Sequence, residues 1–319
     1  MDWQPGADLK TLKLRAEFLA STREFFAQRQ VLEVTTPLLG RGGSTDPWLD
    51  SFTTEFDGFD QPLALYLQTS PEFFMKRLLA AGSGPIYQLG PCFRNGEVSR
   101  RHNPEFWMLE WYRPGWSLAE LQQEVCELVT SLLGPADYLQ KSYKQAFIDV
   151  LGLHPFTASL EDLRQASHVC SGIDAEQLDR DGCLDLLISH QVEPALKDLG
   201  RVFLYDFPAS QAALAQVVKD DEGHPVAKRF ELYIEGLEIA NAYQELTLAA
   251  EQAERFTQDN QQREQLGKPQ ITVDQRLVAA LESGLPECSG IALGFDRLLM
   301  LAAKASSLDA VQSFSMARC

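Results

Sequence analysis

This 319-residue sequence predicts an α+β fold, on three observations. A strand-loop-strand stretch runs from Gln88 to Pro114, a second hairpin is centred on Glu235-Gly236, and amphipathic helices precede, separate and follow them. Hairpins join antiparallel strands, helices with one apolar stripe need a sheet or another helix to cover it, and a hydrophobic content of 45% is enough for a sizeable core.

The stretch QLGPCFRNGEVSRRHNPEFWMLEWYRP reads as strands over 86–94 and 104–113, joined by a loop too polar and too rich in arginine to pack away. The period of two puts Phe106, Met108, Glu110 and Tyr112 on one face and Trp107, Leu109 and Trp111 on the other. The tryptophan face is the core side. The opposite face carries a ring, a carboxylate and a phenol, while Arg94 ends the first strand and Arg100, Arg101 and His102 crowd the loop. Cations for phosphate oxygens, a ring for a base and a carboxylate for an amine suit a nucleoside triphosphate and an amino substrate. A solvated, arginine-bearing hairpin is the plain alternative.

Ahead of this hairpin, Leu12, Ala16, Leu19 and Phe26 recur at helical spacing between Asp8 and Gln30, and an extended segment follows from Val31 to Leu39 with Pro37 at its edge. Residues 63–68 read as a strand leading into Thr69-Ser70-Pro71-Glu72, with a helix from Phe73 to Ala81 that Ser70 could open as a capping box. Ser117 to Leu133 is helical, and residues 134–200 read as a helical insertion. A strand at 202–207, a short helix after Pro208-Ala209-Ser210-Gln211 and an exposed turn at 220–225 come next. Two helices, 249–265 and 273–284, precede a final strand that runs into a helix at 296–304.

In the second hairpin, a two-residue turn at Glu235-Gly236 pairs Ile234 with Leu237 and Tyr233 with Glu238, which brings Glu231 and Glu238 to one face. Two converging carboxylates ask for a cation, and oxygen-only ligation favours Mg2+. Asn241 and Glu245 have the opposite parity to Glu238, so a bulge or sharp twist after Glu238 is required if all four share a pocket.

A net charge of −17 argues against broad, nonspecific binding of nucleic acid, and nine acidic residues between Phe156 and Gly200 face only Arg164, Arg180 and Lys197. Cys92, Cys126, Cys170, Cys183, Cys288 and Cys319 show no paired spacing, so reduced thiols are expected, with neither a zinc site nor a disulfide framework. With no long apolar run and no signal-like start, a cytoplasmic protein without membrane contact is expected.

FRNGEVSRRHNPEFWMLEWY resembles motif 2 of the class II aminoacyl-tRNA synthetases, within them the lysyl-tRNA synthetase branch, and Gly290-Ile291-Ala292-Leu293-Gly294-Phe295-Asp296-Arg297 looks like motif 3. The helix, extended segment and proline near the start are similar to motif 1, which implies a homodimer through Asp8 to Leu39. The resemblance implies one catalytic domain over 1–319, an antiparallel sheet flanked by helices. The reaction it implies is attack of an amino-acid carboxylate on the α-phosphate of ATP.

Residue by residue, the resemblance implies that Arg94 bridges α-phosphate and carboxylate, and that His102 and Arg297 hold the outer phosphates. Phe106 stacks on adenine, helped by Asn103 and the segment at Asn95 and Gly96, with Ile239 and Gly294 also in the ATP site. Glu231 and Glu238 hold Mg2+. Ser70, Pro71 and Glu72 meet the substrate's amino group, Asn241 its carboxylate, and Glu245 with Tyr112 the distant ammonium, while Ala292 lines the pocket. Two positions depart from the lysyl-tRNA synthetase pattern: Gly96 replaces an acidic residue, and Ala292 replaces glycine.

Motif 1 begins almost at the first residue, so no anticodon-binding barrel of about 100 residues is expected ahead of it. That feature, the acidic body and Ala292 resemble the elongation factor P β-lysine ligase family, whose members pass activated (R)-β-lysine to a lysine of elongation factor P and charge no tRNA. A truncated lysine-activating synthetase with another acceptor, and a catalytically silent sensor of amino acid or ATP, are the competing readings.

Overall fold

Asp8 opens the first helix, its carboxylate accepting from the Thr11 amide, in a computed structural model that describes residues 3–58 and 60–319. The chain divides into two compact units, Met1–Gly134 with Leu246–Cys319, and Pro135–Glu245. In chain order the first unit carries α1 (Leu9–Gln28), β1 (Leu32–Glu33), β2 (Leu39–Gly40), β3 (Thr53–Phe56), β4 (Leu63–Leu67), α2 (Glu72–Ala80), β5 (Ile86–Phe93), β6 (Glu105–Pro114) and α3 (Leu118–Leu133). The second unit holds β7 (Tyr138–Ser142), α4 (Tyr143–Leu151), α5 (Leu160–Ser171), α6 (Arg180–Leu187), α7 (Glu193–Leu196), β8 (Arg201–Pro208), β9 (Val217–Lys219), β10 (Pro225–Ile234) and β11 (Leu237–Gln244). The chain then returns to the first unit with α8 (Ala249–Gln265), α9 (Gln275–Gly284), β12 (Cys288–Gly294) and α10 (Phe295–Ala303).

Within the first unit β5, β6 and β12 are antiparallel neighbours, β1 lies parallel to β5, and β2, β4 and β3 form a small separate sheet. The tryptophan face of β6 is the core side, as expected. Phe26 of α1 stacks on Tyr87 at 4.4 Å and meets Trp111 edge-on at 5.4 Å. The buried stripe of α1 is Phe18, Thr22, Phe25 and Phe26, and of the four residues expected to line it only Phe26 is buried; Ala16 is exposed. Neighbouring bulky rings set the angle of the helix more strongly than small residues at the right spacing.

Within the second unit β11, β10 and β8 are antiparallel, β9 pairs with β10, and β7 lies parallel to β8. The pairing is therefore mixed, where purely antiparallel pairing was expected. Parallel neighbours need a long crossover, and α4 to α7 supply one between β7 and β8. Residues 134–200 are largely helical as expected, but they open with β7, which carries no strong alternation. Tyr143, Phe147, Leu184, Leu187, Val202, Leu204 and Phe207 form the core of this unit.

The structure bears out the helix after Thr69-Ser70-Pro71 but not its capping box: Pro71 is the cap, with no side-chain cap bond, and the Ser70 hydroxyl accepts from the Glu72 amide at 3.0 Å. None of the six cysteines is in a disulfide, and three of them are buried. Among the described residues no helix is long and apolar enough to cross a membrane.

Candidate active site

Register puts Gln88, Gly90 and Cys92 of β5, Phe106, Met108, Glu110 and Tyr112 of β6, and Gly290, Ala292 and Gly294 of β12 on one face. Glu110 pairs with Gln88 on one side and Ala292 on the other, so the Ala292 methyl stands beside a carboxylate that is 2% exposed. Ser70 Oγ donates to one Glu110 oxygen at 2.7 Å and the Tyr112 hydroxyl to the other at 2.8 Å. Burial, with the Glu110 charge added and Arg94 pulling the other way, pushes the Cys92 thiol well above its ordinary range. A methyl added at Gly90 would meet nothing within 4 Å, so open space lies over the strand there. Sequence reasoning placed Glu110 on this face without naming it a site residue and passed over Gly90, although an isolated glycine in a strand signals a close approach by something else.

Arg94 follows β5 directly, its amide donating to the Pro104 carbonyl. Its guanidinium lies 5.1 Å from the centre of the Phe106 ring, and its Nε is buried with no hydrogen-bond partner among the described residues. The Glu97 carboxylate is 3.8 Å from its Nη1, beyond hydrogen-bond reach. A buried donor without an acceptor is costly, so this edge is suited to an anion. Asn95 donates its amide to the Asp50 carbonyl at 2.7 Å, and Gly96 has φ +85°, a conformation open to glycine at little cost.

His102 and Arg297 meet. Arg297 Nη2 donates to His102 Nε2 at 2.8 Å, which leaves His102 Nδ1–H to donate to Ser99 Oγ at 2.8 Å. Arg297 sits in the first turn of α10, after Gly294 at its cap. The neighbouring Asp296, 2% exposed, is bound by Arg15, the Trp107 amide and Gln312, so it ties this helix to α1 and β6. Asn103 donates Nδ2 to the Glu105 carbonyl and accepts at Oδ1 from the Met316 amide, which anchors the chain near its end against the loop.

Glu72 opens α2, and Lys76, one turn on and 1% exposed, places Nζ 2.7 Å from Glu72 Oε1, misaligned for a hydrogen bond but close for an ion pair.

In the second unit the turn has φ +52° at Glu235 and +72° at Gly236, the two positive values of a type I′ hairpin. Tyr233 pairs with Glu238 and Ile234 with Leu237, while Leu232 pairs with Ala240 and Glu231 with Asn241. Ile239 is thus the extra residue of a bulge, one of the two irregularities that a pocket shared by Glu231, Glu238, Asn241 and Glu245 would need. Past the bulge, Arg229, Glu231, Tyr233, Glu238, Asn241 and Tyr243 share a face. Arg229 donates to Asn241 Oδ1 at 3.1 Å, to the Gln211 carbonyl at 2.9 Å and to Glu231, whose other oxygen takes the Tyr233 hydroxyl. Burial pushes the Glu231 carboxyl up; the Arg229 charge opposes this and the Glu238 charge adds to it. The cation that two converging carboxylates ask for is thus partly present in the fold, as Arg229. Sequence reasoning missed it, though Arg229, Glu231 and Tyr233 alternate along one strand. Asn241 Nδ2 donates to the Tyr243 hydroxyl at 2.8 Å, and Glu245 is 1% exposed.

His154, Glu222 and His224 also cluster in this unit. The Phe156 amide donates to His154 Nδ1, which leaves the proton on Nε2, facing Glu222 at 3.3 Å. That tautomer suits an ion-paired turn, with Lys144 2.9 Å from Glu222, and not a metal ligand.

A family profile described as tRNA synthetases class II (D, K and N) matches residues 2–318. The chain is 49% identical to the elongation factor P (R)-β-lysine ligase of Photorhabdus laumondii, across 99% of this chain and 98% of that one. Proteins of the same name from Pseudoalteromonas translucida and Vibrio cholerae are 50% and 47% identical, again across 99% of this chain and 98% of theirs.

Proposed function

From the chain's membership of the class II (D, K and N) tRNA synthetase family, we propose that it activates (R)-β-lysine with ATP as an adenylate and passes it to a lysine side chain of elongation factor P. The names of relatives 47–50% identical over nearly the whole chain support the substrate and the acceptor. One observation carries the chemistry: a buried, unpartnered Arg94 Nε beside the Phe106 ring, on a face that also holds a buried carboxylate.

Adenylate formation brings two anions together, so its catalysis is charge neutralisation and alignment. Arg94 would bridge the substrate carboxylate and the α-phosphate, Arg297 and His102 would hold the outer phosphates, and Phe106 would carry adenine. Asn95, Gly96, Asn103, Ile239 and Gly294 complete the nucleotide set. Ser70, Pro71 and Glu72 would meet the β-amino group, Asn241 the carboxylate, and Tyr112 and Glu245 the far ammonium. Glu110, bound to both Ser70 and Tyr112, adds a buried carboxylate to that amine-binding set.

Glu231 and Glu238 fit Mg2+. Together with Arg229 they carry a formal charge of −1, and the Glu238 charge already pushes the Glu231 carboxyl up, so a further cation relieves the pair. Bound there, magnesium would neutralise the leaving pyrophosphate oxygens.

We take residues 1–319 as one catalytic domain of the family, with residues 134–200 as an insertion, acting in the cytoplasm where its acceptor works. We also take the chain to be a homodimer through Asp8 to Leu39. Leu9, Leu32, Leu38 and Leu39 of that region are exposed and so available to a second copy. Sedimentation at micromolar concentration that found only a 35.7 kDa species would sink it.

The deciding experiment is ATP–pyrophosphate exchange with α-lysine and β-lysine side by side, followed by transfer to elongation factor P or to tRNA. Exchange favouring β-lysine with transfer to the protein is expected. Exchange with α-lysine alone and charging of tRNA would replace this reading with the truncated synthetase.

A further inference from the structure

Lys76 is 1% exposed, in the second turn of α2, among Phe73, Met75 and Leu79. A lysine is rarely buried unless a counter-charge lies close, and Glu72 Oε1 at 2.7 Å supplies one here. Exposed pairs at this helical spacing contribute little, yet this ammonium is held out of water against the one carboxylate that opens the helix. Glu72 itself keeps a side-chain exposure of 17%, and its second oxygen has no partner among the described residues. One oxygen is pinned from below and the other is left open.

We infer that Lys76 is a positioning residue for amine recognition: it fixes Glu72 through Oε1, so that the second oxygen receives the substrate's amino group at one defined place. The inference rests on the reading that Glu72 receives that amine. With its carboxylate pinned, Glu72 cannot swing to follow an amine one carbon away, so Lys76 acts on substrate choice without touching the substrate.

The test compares the parent with Lys76→Met, which keeps the length and apolar stem of lysine and removes the charge. Kinetics with β-lysine are set beside competition by 6-aminohexanoic acid, which retains the carboxylate and the far ammonium but lacks the amine in question. The expected result is a KM for β-lysine raised about tenfold or more, with kcat within about twofold, the KM for ATP unchanged and 6-aminohexanoic acid binding both proteins alike. Lys76→Arg, which retains the charge, keeps the preference for β-lysine over 6-aminohexanoic acid and serves if the methionine variant does not fold. An unchanged KM for β-lysine in Lys76→Met, an equal loss for both ligands, or loss of the preference in a folded Lys76→Arg overturns the inference. If instead the parent binds 6-aminohexanoic acid as tightly as β-lysine, it is the reading of Glu72 that fails.

Discussion

Arg94 and Arg229 each stand over an aromatic ring with a carboxylate nearby, one in each unit, and they are used in opposite ways. Arg229 lies 4.3 Å from the centre of the Phe207 ring, and its Nε, Nη1 and Nη2 each donate to the chain's own acceptors, at Asn241, Gln211 and Glu231. Arg94 lies 5.1 Å from Phe106 with its Nε buried and idle, and with Glu97 out of hydrogen-bond reach. A guanidinium with each of its three nitrogens engaged holds a fold together. One with an idle buried edge is built for a ligand that is elsewhere part of the time. The sequence shows two arginines near carboxylates, and only the geometry separates their roles.

The largest effect should come from breaking the engaged member. Arg229→Ala leaves Glu231 buried without its cation, and losing one partner of a buried pair costs about 3–5 kcal/mol. A large fall in the denaturant midpoint is expected, with activity lost in proportion to unfolded protein. A variant that melts like the parent would show that Glu231 finds another partner and that the contrast is overdrawn.

Arg94→Ala should do the reverse. Its melting should match the parent's, because Nε has no partner to lose among the described residues, while pyrophosphate exchange should fall on the order of a hundredfold or more. Near-normal exchange would remove Arg94 from the chemistry. Glu238→Gln is gentler, since it leaves the Arg229–Glu231 pair intact and removes one oxygen ligand. The magnesium concentration at half-maximal exchange should rise several-fold; an unchanged requirement would take Glu238 out of the metal set.

What was legible beforehand follows the same division between local and non-local causes. The pairing beside the second hairpin's turn could be read in advance, because a two-residue turn at Glu235-Gly236 fixes the neighbouring pairs, whereas a bulge or sharp twist was called for only on condition that Asn241 and Glu245 share a pocket with Glu231 and Glu238. The juxtaposition of His102 with Arg297 could not be derived from spacing, since 194 residues separate them; it came from the motif resemblance. The parallel pairing of β7 with β8 was not visible, because a five-residue edge strand with a weak pattern is decided by what it packs against. Arg229, Glu231 and Tyr233 did carry a signal, three polar residues alternating on one face of a strand, which asks for a network among them.

The smallest predicted effect concerns Ala292, and it sharpens the comparison by testing shape where the two arginines test charge. Its register places the methyl opposite Glu110, whose carboxylate is bound by Ser70 and Tyr112, so the methyl and the amine-binding set share one wall. β-Lysine carries its amine one carbon further from the carboxylate than α-lysine does, so a pocket that holds both charged ends must offer the amine a shifted place. A methyl at position 292 can fill the volume that α-lysine needs and β-lysine leaves empty. One methyl-sized misfit is worth about 1–3 kcal/mol, or roughly 10- to 200-fold in discrimination, enough to reverse a preference without rebuilding the site. Ala292→Gly should therefore raise kcat/KM for α-lysine relative to β-lysine, while Glu110 keeps its two hydroxyl donors and the ATP requirement stays as it was. Ala292 is only partly buried, so the new glycine leaves a small cavity at most and a modest change in melting. If the ratio of kcat/KM for the two substrates is the same in Ala292→Gly as in the parent, the methyl is packing within β12 and the choice of substrate lies with Glu72 and its buried lysine.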